Sequence, residues 1–150
     1  MTFFFDNKGP VLIEFAENKS RVNSVAYQET LVRLRKALKN KRPGKLSSGV
    51  ILLHDNARPH TAARTQEMIA KFRWEVLRHP PYSPDLSPCD YHVFSPLKKH
   101  LRSYHFASDG DLKAEASKWL RHQPKEFYQK GINRLIDQWR NCVISDGYYF

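Results

Sequence analysis

Two carboxylates stand where chemistry could gather. Asp55 closes the apolar run Val50-Ile51-Leu52-Leu53-His54, and Asp90 follows the proline-stiffened stretch Ser-Pro-Asp-Leu-Ser-Pro-Cys at 83–89. An acid at the carboxyl end of a buried strand lies on the edge of an α/β sheet, where ligands collect. Oxygen donors from separated segments suit hard cations such as Mg²⁺ or Mn²⁺. Two such ions about 4 Å apart clamp the attacking and leaving oxygens of a phosphodiester displacement. The competing reading is structural, because an Asp at a helix start is also an ordinary cap for loose backbone N–H groups. His54, His60, His79 and His92 flank the two acids, but their spacing fits no usual zinc motif.

Positioning these acids requires a sheet with crossovers. Thr2 to Phe5 and Val11 to Phe15 read as strands joined by the turn Asp6-Asn7-Lys8-Gly9, so Asp6 is a turn residue and not a ligand. Ser24 is placed to cap a helix carrying Tyr27, Leu31, Leu34 and Leu38, which Pro43-Gly44 ends. Val50 to Leu53 predict a strand buried on both faces. Thr65, Met68, Ile69 and Phe72 predict a helix, and Trp74, Val76 and Leu77 a second strand, making a strand–helix–strand crossover. Residues 79–88 hold four of the nine prolines and form a stiff loop. Beyond it Asp90 opens a helix with Tyr91, Phe94 and Leu97, interrupted or kinked near Pro96. Two amphipathic helices follow, Asp109 to Arg121 and Pro124 to about Ser145. The second carries Tyr128, Ile132, Leu135, Ile136, Trp139 and Val143 on its apolar face. The tryptophans read as core.

Length and composition bound the partners. With 150 residues and 41% hydrophobic content the chain can build one core, so disorder is excluded for most of it and one domain is expected. The 25 basic against 15 acidic residues give a net charge of +10, which makes a polyanion the default partner. No acid lies between Glu29 and Asp55, a stretch that holds Arg33, Arg35, Lys36, Lys39, Lys41, Arg42 and Lys45. Lys98, Lys99, His100 and Arg102 form a second basic cluster. Such clusters are candidates for salt-sensitive, sequence-independent phosphate contacts, and Arg58 for a bidentate one. No apolar run approaches the ~18 residues a membrane span needs. The two cysteines, without CxxC spacing, point to a reducing, intracellular setting.

The segments His54-Asp55-Asn56-Ala57-Arg58-Pro59-His60 and His79 to Phe94, through Tyr82-Ser83-Pro84-Asp85-Leu86-Ser87-Pro88-Cys89-Asp90-Tyr91-His92, resemble the catalytic domain of mariner-family DNA transposases. So do Asn7-Lys8-Gly9, Lys41-Arg42-Pro43, Phe127-Tyr128, Gly131-Ile132, Leu135, Trp139, Cys142-Val143 and the final Tyr149-Phe150. The 34 residues between Asp55 and Asp90 match the interval of the family's last two catalytic acids. The transposase-derived half of SET-mariner fusion proteins is similar too.

That resemblance implies an RNase H-like α/β fold, a mixed sheet flanked by helices. Asp55 and Asp90 would be catalytic acids holding Mg²⁺ or Mn²⁺ for DNA strand cleavage and strand transfer. It also implies transposon-end and target DNA as partners, homodimeric action, and a nuclear location. Phosphate contacts are expected from Arg35, Lys39, Lys41, Arg42, Arg58, Lys98, Lys99 and Arg102. The family's first strand, with its first catalytic Asp, has no counterpart among these residues. The expectation is therefore a partial catalytic domain over residues 1–150, a second metal held poorly, and weak nuclease activity at best. The alternative is a non-catalytic, domesticated or relic nucleic-acid-binding module.

Overall fold

The computed structural model describes residues 1–15, 23–54, 62–78 and 87–145. In chain order the elements are β1 (Thr2–Asp6), β2 (Gly9–Glu14), α1 (Ser24–Lys41), α2 (Lys45–Ser48), β3 (Ile51–His54), α3 (Ala63–Lys71) and β4 (Glu75–Arg78). A π-helical turn (Cys89–Val93), α4 (Phe94–Arg102), α5 (Asp109–His122) and α6 (Lys125–Ser145) follow. The contacts divide the chain into two compact units, Met1–Phe4 with Val11–Tyr82 and Phe5–Pro10 with Ser83–Phe150.

In the first unit α1 is the organiser. Its apolar positions recur at helical spacing, so Tyr27, Leu31, Leu34 and Leu38 form one buried stripe. Val11 of β2, Val50 and Leu52 at β3, Ile69 of α3 and Trp74 before β4 close on that stripe. Burying a side chain such as Leu31, which has no solvent exposure, contributes about 2–3 kcal/mol. The cap of α1 differs from the sequence expectation. Asn23, not Ser24, occupies the position, its Oδ1 accepting from Ala26 N at 2.8 Å. An extended backbone at residue 23 aims its short amide side chain at the first free N–H groups, while Ser24 is already inside the helix.

β3 and β4 pair in parallel with Ile51 opposite Glu75 and His54 opposite Arg78, as the crossover predicts. Among the described residues β1 and β2 form one two-stranded sheet and β3 and β4 another, with α1 side chains packed against both. One expectation fails here: β3 is not covered on both faces. Leu52 packs on α1 at 5% exposure, whereas Ile51, which points to the opposite face, is 65% exposed. A strand with one described partner and helices on one side hides only alternate residues.

The hairpin turn forms as its chemistry dictates, with Asp6 Oδ1 accepting from Lys8 N at 2.9 Å and Gly9 at φ +121°. Glu14 of β2 is bonded by Arg33 of α1, whose Nη2 lies 3.0 Å from Oε1. This bond holds the guanidinium more firmly protonated than usual.

In the second unit Val93, Leu97, Ala116, Leu120, Tyr128 and Leu135 are buried. Ser108 caps α5, its Oγ accepting from Asp111 N at 3.1 Å. The interruption expected near Pro96 is the π turn, which gives way to α4 at Phe94 with Pro96 in the first turn of α4. One detail departs from expectation. Ile136, assigned to the apolar face of α6, is 47% exposed, while Tyr128, Gly131 and Leu135 line the buried side. Trp74 is core at 7% exposure and Trp119 is half-buried.

Candidate active site

Each candidate acid is delivered by a segment whose neighbours are tied to a helix. β3 ends at His54, and His54 Nδ1 is hydrogen-bonded to the Tyr27 hydroxyl at 2.8 Å, the two rings 5.8 Å apart. Tyr27 is itself buried on α1, so the carboxyl end of β3 is fixed by a side-chain bond as well as by its ladder. Asp55 is the next residue. Asp55, Asn56, Arg58, His60 and His79 lie outside the described residues, as does the proline-rich loop up to Leu86.

Asp90 is the second residue of the π turn, not the opening of an α-helix. In this turn Phe94 N reaches back to Cys89 O, an i to i+5 bond. Such wide turns concentrate at functional sites. Two side chains that follow the acid pin the turn to α6. Tyr91 donates its hydroxyl to Gly131 O at 2.6 Å, and His92 Nε2 donates to Phe127 O at 2.6 Å. Because a carbonyl only accepts, His92 must carry its proton on Nε2.

The Arg134 guanidinium lies 4.9 Å from the centre of the Tyr91 ring. Burial pushes the Tyr91 phenol up to about 12 against the opposite pull of Arg134, which keeps the hydroxyl protonated as the donor this bond requires. Gly131 makes the approach possible. A Cβ there would stand 2.8 Å from His92 Cδ2, closer than real contacts allow.

These anchors were only partly legible. Tyr91 and His92 belong to the motif that carries the resemblance, but their bonds to α6 span 40 and 35 positions and no spacing rule reveals them. Gly131 left a local trace: a glycine inside an amphipathic helix costs about 1 kcal/mol relative to alanine and asks for a packing reason.

The basic candidates fall into three situations. Arg35 and Lys39 are exposed on α1, Arg35 with its guanidinium 5.5 Å from the centre of the Phe72 ring. Lys41 and Arg42 are engaged with backbone: Lys41 Nζ donates to Val11 O at 3.0 Å and Arg42 Nη1 to Lys41 O at 3.1 Å. Lys98, Lys99 and Arg102 line one side of a cavity of about 430 Å³ on α4 together with Phe94 and Ser95.

As for a metal, no three His, Cys, Asp or Glu side chains stand together among the described residues. Asp55 and Asp90 offer hard carboxylate oxygens, the donor type that fits Mg²⁺ or Mn²⁺.

Residues 1–113 match the DDE superfamily endonuclease family. The chain belongs to that family. It is a homologue of the mariner transposase catalytic domain: it is 39% identical over 148 residues to the Mariner Mos1 transposase of Drosophila mauritiana, covering 97% of this chain and 43% of that protein. It is 43% identical over 157 residues to the human histone-lysine N-methyltransferase SETMAR, covering the whole of this chain and 22% of that one. The chain thus spans less than half the length of either relative. The crystal structure of the Mos1 catalytic domain superposes with a TM-score of 0.90 at 39% identity, over 99% of this chain and 74% of that one. The RNase H-like fold expected of a DDE domain is therefore the fold observed. The Mos1 domain has been solved with Mn and with Mg, and Mos1 also as a paired-end complex with its left transposon end.

Proposed function

We propose that this chain is the DNA-processing part of a mariner-type transposase, in which Asp55 and Asp90 hold Mg²⁺ or Mn²⁺ for cleavage and transfer of DNA strands. The observation that carries the reading is the whole-length likeness to a DDE catalytic domain at 39% identity, with the acids of β3's end and of the π turn both inside the aligned span. When bound, a divalent ion supplies activation of water or a 3′-hydroxyl and charge neutralisation at the phosphodiester. The chain's own contribution is positioning. Tyr27 and His54 fix the strand end before Asp55, and Tyr91, His92 and Gly131 fix the turn that carries Asp90. The basic faces of α1 and α4, with Arg58, would take backbone phosphates without reading sequence.

The proposal extends to transposon-end and target DNA as substrates, to action as a homodimer on paired ends, and to work in the nucleus. What supports these parts is the kinship with Mos1, which has been solved as a paired-end complex with its left transposon end.

The test is nicking of supercoiled plasmid in Mn²⁺ or Mg²⁺ with EDTA as control. Weak, metal-dependent nicking that Asp55→Ala and Asp90→Ala each abolish supports the reading. Nicking indifferent to both substitutions sinks it. Salt-sensitive DNA binding with no cleavage at any metal concentration would favour the non-catalytic nucleic-acid-binding module instead.

A further inference from the structure

The cavity on α4 is built unlike a plain basic surface. Phe94, Lys98 and Arg102 recur every fourth residue, and Ser95 and Lys99 form the adjacent row, so the five lining residues make one face of the helix. The opposite face is otherwise engaged: Leu97 is buried, and His100 Nε2 lies 2.8 Å from Glu115 Oε1 of α5. Glu115 is thereby drawn to the histidine. Among the described residues no carboxylate pairs with Lys98, Lys99 or Arg102, and all three are exposed. Cations near a helix C-terminus are stabilised by the macrodipole, which accounts for basic residues at this end. The dipole does not account for a hollow with a half-buried aromatic ring in its wall.

We infer that this cavity takes an unpaired nucleotide of a DNA strand, its phosphate on Lys98, Lys99 and Arg102 and its base against Phe94. The inference rests on the DNA-processing reading above and deepens it by naming the strand form bound. A volume of about 430 Å³ lies within the ordinary range of small-ligand pockets, about 300–1,000 Å³. In a duplex the bases are paired inside the rod, so only backbone could touch the rim. An unpaired nucleotide can turn its base into the hollow. Cationic walls with an aromatic platform are the general means of holding single strands without sequence preference. Ser95 adds a neutral donor and acceptor at the same rim.

The experiment is fluorescence anisotropy of the full chain with labelled oligothymidine and with a duplex of equal length, in EDTA so that cleavage plays no part. Ser95 is exposed, so Ser95→Leu narrows the cavity with a side chain that cannot stack and removes no packing contact, and Phe94→Leu removes the stacking surface. Both variants are checked for native melting. The result expected is a loss of about tenfold in oligothymidine affinity for each, with duplex affinity unchanged. Replacing Lys98, Lys99 and Arg102 together by Ala should lower the salt slope for oligothymidine by about 2. Oligothymidine affinity untouched by Ser95→Leu, an equal loss on duplex, or no oligothymidine binding at all overturns the inference. The reading of Asp55 and Asp90 is judged separately, by plasmid nicking.

Discussion

Tyr91 gives its hydroxyl proton to the Gly131 carbonyl 2.6 Å away, joining the residue after a candidate catalytic acid to the middle of α6. His92 makes the parallel bond one helical turn earlier, to Phe127. Consecutive side chains thus grip consecutive turns of one helix, and the wide turn that bears Asp90 is held from outside as well as by its own backbone bonds. Removing the Tyr91 hydroxyl should loosen this grip. Tyr91→Phe is expected to cost about 0.5–1.5 kcal/mol, read as a lower urea midpoint with unchanged slope.

The same phenol gives a pH signature. Its folded value, about 12, lies above the ordinary 10, so between those limits the unfolded chain releases a proton that the folded chain keeps. Stability contributed by Tyr91 is therefore complete below pH 10 and is lost as pH rises toward 12. Urea titrations at pH 9, 10, 11 and 12 should show the gap between the native chain and Tyr91→Phe narrowing over that window. A gap that stays constant or widens would contradict the assignment.

Gly131→Ala places a methyl 2.8 Å from His92 Cδ2 and must push the imidazole off Phe127. A loss of about 1–3 kcal/mol is expected, measured by thermal and urea unfolding. Combining it with His92→Ala should give much less than the sum of the two single losses, because the clash disappears with the ring. Strict additivity would show that the methyl is accommodated elsewhere.

Asn23→Ala should lower stability by about 0.5–2 kcal/mol, whereas Ser24→Ala, inside the helix, should change it by less than about 0.5 kcal/mol. Equal effects would return the cap to Ser24.

In the core, Leu31→Ala should cost about 2–5 kcal/mol, since Leu31 has no exposure. Its neighbour Val32, 50% exposed, should tolerate alanine within about 0.5 kcal/mol. Denaturant unfolding of the pair measures how strictly helical periodicity sorts α1.

Much of this architecture was legible because it is written locally. The stripe Tyr27, Leu31, Leu34, Leu38 repeats with the helix, the Asp-Asn-Lys-Gly turn carries its own hydrogen-bond donor and acceptor, and the crossover from β3 to β4 follows from apolar runs separated by a helical pattern. What escaped depends on partners far along the chain. Ile51 has the composition of a doubly covered strand, but its coverage is decided by what packs on it, and it is 65% exposed. Ile136 keeps helical register with Tyr128 yet faces solvent, because the buried arc of α6 is centred on Gly131, where His92 needs room. The two acids stood out by residue type and position, but only the long motif matches around them weighed against their being ordinary caps.

The π turn also makes chain length count, not only residue identity. Its rings close over five residues where the following α4 closes over four. Deleting one residue between Cys89 and Val93 would let ordinary α winding run straight through. The backbone just before the deletion would then be rotated by roughly 100° about the helix axis relative to Tyr91 and His92 and their partners on α6. Insertions and deletions should therefore be tolerated in the exposed connectors and rejected here, where the number of residues in the turn sets how the chain enters α4.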